Sequence, residues 1–171
     1  MIIRPLLAGD APEAAALIHR TFSAFVAESY RPRGVREFLR RNSSRGLLAR
    51  LHEGQLVLVA EAEGGGGDQA GSPKGAGAAA DSTSLVGVAA VRNGNHVSLL
   101  FVEPEQHGRG IGRSLFHEAR LRMRAALPDI DGVTLNSSDY ALEFYRKLGF
   151  EATGAAFYRK GMRMTPMRLE L

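Results

Sequence analysis

The chain contains no cysteine, and that absence removes a disulfide framework, a thiolate nucleophile and any cysteine-based zinc site from consideration. A reducing compartment suits such a chain, so a cytoplasmic location is expected. Long hydrophobic runs are also missing. No apolar stretch approaches the roughly 20 residues of a membrane-spanning helix. The opening MIIRPLLAGDAPEAA has too short an apolar run for a secretory signal. A soluble protein without membrane contact is the expectation. Aromatic residues are sparse, and few interleave with the arginines between Arg31 and Arg50 or between Arg109 and Arg124. Although the net charge is +4, the stacking platforms of a nucleic-acid binder are scarce, and no nucleic-acid partner is expected.

What is present suffices for one core. A domain of 171 residues buries roughly 70% of the surface its unfolded chain exposes, so residues 1–171 are read as a single domain. Within it, residues 63–84 (EGGGGDQAGSPKGAGAAADSTS) consist of glycine, alanine, serine and isolated charges. Such a composition buries too little apolar area to offset the entropy of ordering. It is read as a mobile hairpin-loop insertion, because the segment before it has too few elements for a separate core.

The local patterns predict a strand at 2–6, then a helix opened by Asp10, Pro12 and Glu13, with Ile18, Phe22, Phe25 and Val26 as its apolar stripe. Shorter helices follow at 35–41 and 47–52. Strands are expected at 55–61 and 85–92, the second turning at Asn93-Gly94 to pair with a strand at 96–102. A helix running to Pro128 carries Leu115, Ala119, Leu121, Met123 and Leu127; a strand at 132–136, a helix at 140–148 and strands at 150–157 and 162–171 complete the list. Pro166 marks the last as an edge or bulged strand.

The stretch FVEPEQHGRGIGRSLFHEARL, residues 101–121, is the most distinctive. A strand ends at Val102, a turn holds Gly108, Gly110 and Gly112, and a helix begins there. The first helical turn has unsatisfied N–H donors and the positive end of the peptide dipoles, and glycines let an anion approach the main chain. Arg109 and Arg113 add charge. The alternative is an ordinary strand-to-helix turn with glycines for geometry. The spacing is neither a dinucleotide fingerprint nor a nucleoside-triphosphate loop.

VEPEQHGRGIGRSL resembles the acetyl-CoA pyrophosphate loop of the GNAT superfamily of N-acetyltransferases, Q/R-x-x-G-x-G/A, with His107 in the Q/R position. NSSDYALEFYRKLGFEATG, residues 136–154, is similar to the family's later strand-helix-strand segment. The resemblance implies an α/β (α+β) fold: a mixed, mostly antiparallel central sheet of six to seven strands flanked by helices, with a splayed parallel strand pair as the cofactor wedge. It implies acetyl-CoA as cofactor, no metal, and direct attack by the amine of a small-molecule or peptide acceptor. Leu100, Phe101 and Val102 would hold the pantetheine arm through the main chain. Gly108, Arg109, Gly110, Ile111, Gly112 and Arg113 would hold the pyrophosphate. Asn136 and Ser138 would either touch cofactor or substrate or cap the following turn. Tyr145 would be the proton donor to the leaving sulfur, and Glu103, His96 or water the base. Phe25, Glu28, Tyr30, Arg31 and Arg33 would shape acceptor choice. The rival readings are a non-catalytic acyl-CoA-binding regulatory module and a basic nucleic-acid binder. A monomer and a homodimer paired through the last strand both remain open.

Overall fold

The computed structural model describes residues 1–62 and 84–171. The expected 63–84 insertion therefore lies outside the described residues except for Ser84, which opens a strand. Along the chain run β1 (Ile2–Pro5), α1 (Ala11–Phe25), α2 (Pro32–Arg41), α3 (Ser44–His52), β2 (Leu56–Ala62), β3 (Ser84–Arg92) and β4 (His96–Val102). Then come α4 (Ile111–Ala126), β5 (Gly132–Ser137), α5 (Leu142–Lys147), β6 (Glu151–Ala152), β7 (Phe157–Arg159) and β8 (Met162–Glu170). Among the described residues they build an eight-stranded sheet ordered β1-β2-β3-β4-β5-β8-β6, with β7 also on β8. All pairings are antiparallel except β4 with β5.

Each face of the sheet carries its own core. On one, α1 and α3 bring Leu17, Ile18 and Leu47 against Val57, Val59, Val88 and Leu99. On the other, Leu115, Phe116 and Met123 of α4 meet Leu58, Val133, Leu135, Phe150 and Met167. The central strand β3 is buried from Leu85 to Val91, which explains its near-continuous apolar run where a half-exposed strand would alternate. Fully burying one such Leu, Val or Phe side chain contributes about 1.5–3 kcal/mol.

The hairpin falls at Asn93-Gly94 as expected, though with a longer turn, whereas the expected cap bond does not form. Asn93 and Gly94 both have positive φ, 53° and 79°, but the register Arg92↔His96 leaves Asn95 in the connection as well, so the expected two-residue turn is a three-residue one. Asp10, expected as the α1 cap, makes no such bond. Its carboxylate instead takes the Arg4 guanidinium at 2.6 Å and the Leu7 N–H at 2.7 Å, and that arginine holds it below the usual carboxylate range. Glu13 reaches away to the Leu85 N–H at 2.8 Å. On α4 the buried stripe is Ile111, Leu115, Phe116, Ala119 and Met123, while Leu121 and Leu127 face water.

Two strand expectations need correction. Residues 150–157 are not one strand: β6 ends at Ala152, and pairing resumes only at Phe157. The last strand is not an edge, because β8 lies between β5 and β6/β7. Pro166 fits there because its carbonyl accepts the Thr153 N–H at 2.9 Å. A strand residue's N–H and C=O point to the same side, so its missing donor faces the gap where β6 has ended and β7 has not begun.

Gly34 of α2 packs on the turn between β7 and β8. An added Cβ would sit 2.4 Å from the Gly161 carbonyl oxygen, and Arg31 N–H bonds that oxygen at 2.8 Å. Both obstacles are main chain and neither yields without moving the turn. Gly34→Ala is expected to lower unfolding free energy by about 1–3 kcal/mol, measured as a reduced urea midpoint at constant slope.

Candidate functional site

Strands β4 and β5 share only two register pairs, His96↔Thr134 and Val97↔Leu135. Beyond them β5 pairs only with β8 and β4 only with β3, so the sheet opens in its middle. The cause is visible on β4. Ala90 pairs with Leu99 but Val91 with Val97, leaving Ser98 as an extra, bulged residue that bends the strand. Val97 and Leu99, two residues apart, consequently point into opposite cores.

The bulge also decides which main-chain groups meet the gap. Glu103 donates its N–H to Val86 of β3 at 2.9 Å. By strict alternation Phe101 also turns its amide and carbonyl to β3, where its oxygen lies 3.3 Å from the Cβ position of Gly87. Leu100 and Val102 turn theirs to the open side. Of the three residues expected to present main chain, Phe101 is therefore engaged in the sheet and offers its ring instead, 5.8 Å from that of Phe38. The Val102 carbonyl is met by His107 Nε2 at 2.8 Å and by the Thr21 hydroxyl at 3.5 Å.

A cavity of about 660 Å³ occupies this opening. Leu100, Phe101, Val102, Gly108, Gly110, Ile111, Gly112, Arg113, Asn136, Ser138 and Tyr145 all line it. Arg109 is exposed and outside the lining. At one end the glycine turn meets α4. Gly108 and Gly110 have φ of 77° and 79°, and open space surrounds the Cβ position of each. The first bond of α4 is Ser114 N–H to Gly110; no N–H from Gly108 to Arg113 finds an acceptor among the described residues. Those donors, the helix dipole and Arg113 converge on one small volume, which suits an anion.

Much of the remaining wall is aromatic. Phe25 and Tyr140 stack at 4.7 Å, and Phe25 also lies 5.5 Å from His107. Tyr30 packs beside Phe22 at 5.4 Å; burial, then the nearby Asp139 charge, pushes its phenol up to about 12. Tyr145 of α5 is buried against Phe144 and Phe150 at 5.2 and 5.7 Å. No hydrogen bond with a described residue engages its hydroxyl, and burial raises its pKa above the usual phenol value. Thr21, Phe38, Tyr140 and Phe144 also line the cavity. Sequence reasoning missed these lining roles because helical spacing marks such residues only as apolar or neutral.

Other expectations fall apart in space. Phe25 and Tyr30 reach the cavity, whereas Glu28, Arg31 and Arg33 do not line it; Arg31 lies over the Tyr158 ring at 4.4 Å. Glu103 forms an ion pair with Arg20 of α1. His96 sits at the closed end of the opening, bonded to Thr134 Oγ1 at 2.9 Å, outside the cavity lining.

The acetyltransferase (GNAT) domain family matches residues 73–171. A solved GCN5-related N-acetyltransferase from Rhodopseudomonas palustris is 25% identical with TM-score 0.74, covering 99% of this chain and 95% of that one. The PaiA N-acetyltransferase of Thermoplasma acidophilum, solved with coenzyme A, superposes with TM-score 0.71 at 20% identity over 99% and 98% of the two chains. The peptidyl-lysine N-acetyltransferase YjaB of Escherichia coli (strain K12) is 32% identical over 62 residues, 36% of this chain and 40% of that protein. The matched part thus spans well under two thirds of such relatives.

Burial, and then Arg92, lower the His96 pKa from 6.5 to about 4. Between those values the unfolded chain binds the proton and the folded one does not, so stability is fully present above about pH 6.5 and falls as pH drops towards 4. Urea unfolding at pH 7 and pH 5 is expected to show this loss, and His96→Gln to reduce it.

Proposed function

We propose that this chain, which belongs to the GNAT acetyltransferase family, transfers the acetyl group of acetyl-CoA to an acceptor amine as one domain. The single observation that carries the reading is the set of N–H groups from Gly108 to Arg113, unpaired among the described residues, at the mouth of the parted strands. Their number and convergence fit a diphosphate, and the open space at Gly108 and Gly110 leaves room for it. Bound there, acetyl-CoA supplies an activated acetyl thioester. The main chain of Leu100 and Val102 offers hydrogen bonds along the gap, as an edge strand does. Asn136 and Ser138 supply polar groups from the facing strand.

Acyl transfer to nitrogen needs a proton donor for the departing sulfur and an amine without its own extra proton. The Tyr145 hydroxyl has no competing partner among the described residues, and burial raises its pKa further above the usual phenol value, so it carries a proton to donate at neutral pH. A base role for Glu103 would have to compete with Arg20. His96 lies at the closed end of the wedge, which favours water over His96 as the route for the amine proton. The acceptor enters on the aromatic side, between Phe25, Tyr30 and Tyr140, and its class includes small amines and peptides.

Calorimetric titration with acetyl-CoA, followed by thiol release across an amine panel, tests the reading. Absence of binding at millimolar cofactor would sink it; binding without turnover of any amine would favour the non-catalytic module. Tyr145→Phe is expected to lower turnover by about 10²–10⁴-fold with cofactor affinity retained. Unchanged turnover under rate-limiting chemistry would remove Tyr145 from the reaction.

A further inference from the structure

A second concavity, of about 400 Å³, lies on the outer side of α2, lined by Arg33, Arg36, Glu37, Arg40 and Lys160. Positions 33, 36, 37 and 40 form one helical stripe. On the opposite side of the same helix Phe38 lines the acceptor end of the main cavity. The groove's other wall is the turn between β7 and β8. The Gly34 contact with Gly161 and the Arg31 N–H bond to it clamp that turn to α2, while Arg31 stacked on Tyr158 closes the join. The groove and the acceptor mouth are thus two sides of one wall.

Its charge is unbalanced. Glu37 is already held by Arg40 through bonds of 3.1 and 3.2 Å, and neither Arg33, Arg36 nor Lys160 forms an ion pair with a described residue. More positive charge lies alongside: Arg41 and Arg159 depress the Arg92 pKa after burial does. Like charges held together destabilise a fold unless an anion answers them.

We propose that this groove docks an acidic segment of a peptide acceptor, its carboxylates held by Arg33, Arg36 and Lys160 while its amine enters the cavity on the far side of α2. This deepens, and rests on, the acetyl-transfer reading. Arginine forks match carboxylates, and the groove's width is set by a clamped turn. A nucleic acid is the less suitable occupant, since no residue lining the groove is aromatic and bases would have nothing to stack on.

The test uses fluorescent peptides rich in Asp and Glu, with all amines blocked, beside Asn/Gln isosteres. Anisotropy with the full chain is expected to show the acidic peptide binding at least about tenfold tighter, weakening with salt. The Arg36→Glu/Lys160→Glu variant should lose that preference; both side chains are exposed, so it should remain folded, with its acetyl-CoA affinity unchanged. With free amines, the acidic peptide should show the lower KM, and the variant should raise that KM while leaving a small amine's kcat untouched. Equal binding of acidic and neutral peptides, or displacement of the peptide by a single-stranded oligonucleotide at lower concentration, would overturn the proposal. Because blocked peptides need no chemistry, retained binding without acetylation counts against acetyl transfer alone. Acetylation without acidic preference counts against the groove alone.

Discussion

Everything in this molecule turns on a sheet that stops pairing in its middle. Main-chain N–H and C=O groups inside a protein are almost always paired, so an interior strand left half unpaired is costly unless something else satisfies it. At the closed end the pairing is firm: Thr134 donates to Asn95 at 3.0 Å, and Asn95 Nδ2 donates to Gly132 at 3.1 Å. Three residues further along, the strands have parted. At the open end the protein covers part of the debt itself, since His107 and Thr21 both approach the Val102 carbonyl. The groups of Leu100 are left to whatever fills the gap.

The same parting sets the helix and the turn. A parallel pair needs a crossover, and the segment leaving Val102 must rise out of the sheet, reverse and enter α4 before β5 can return beside β4. Gly108 and Gly110 supply the two left-handed conformations of that reversal. Ile111 and Leu115 then seat α4 against the core. Gly87 allows this approach, because a Cβ there would fall 2.7 Å from Leu115 Cδ1. The positive end of α4 is therefore aimed at the mouth of the gap by packing far from the mouth.

Much of this was legible in the chain. The Asn93-Gly94 turn fixed β3 against β4, and the glycines after Val102 marked both the reversal and the free donors, because both depend on local backbone preference. The family motifs carried the parallel pair. What could not be read was anything set by three-dimensional partners. Ser98 has no sequence mark of a bulge, yet it decides that Leu100 and Val102, rather than Phe101, face the opening. Pro166 suggested an edge, but it sits in an interior strand beside a break in its neighbour. Asp10 fitted a cap by spacing, yet Arg4 claims it. Phe38 and Tyr140, far apart in sequence, reach one wall only because α2 and the turn after β5 converge.

The cavity combines cationic and aromatic groups in its lining, and the combination bears on how an amine would lose its proton. Arg113 and Lys147 line it together with the donors of α4, which favour a polyanion, while Phe25, Tyr30, Phe38 and Tyr140 form the wall where the acceptor is proposed to enter. Desolvation penalises whichever form of a group is charged. The protein shows this on its own side chains: burial lowers the His96 pKa and raises those of Tyr30 and Tyr145, in each case favouring the neutral form. An alkylammonium brought against Tyr30 and Tyr145, which line the cavity, would meet the same penalty, so its neutral form would be favoured there and its proton would be most readily left with water at the entrance. On this argument the wall would assist the proposed reaction by making the charged amine the costlier occupant, without requiring a dedicated base beside the sulfur.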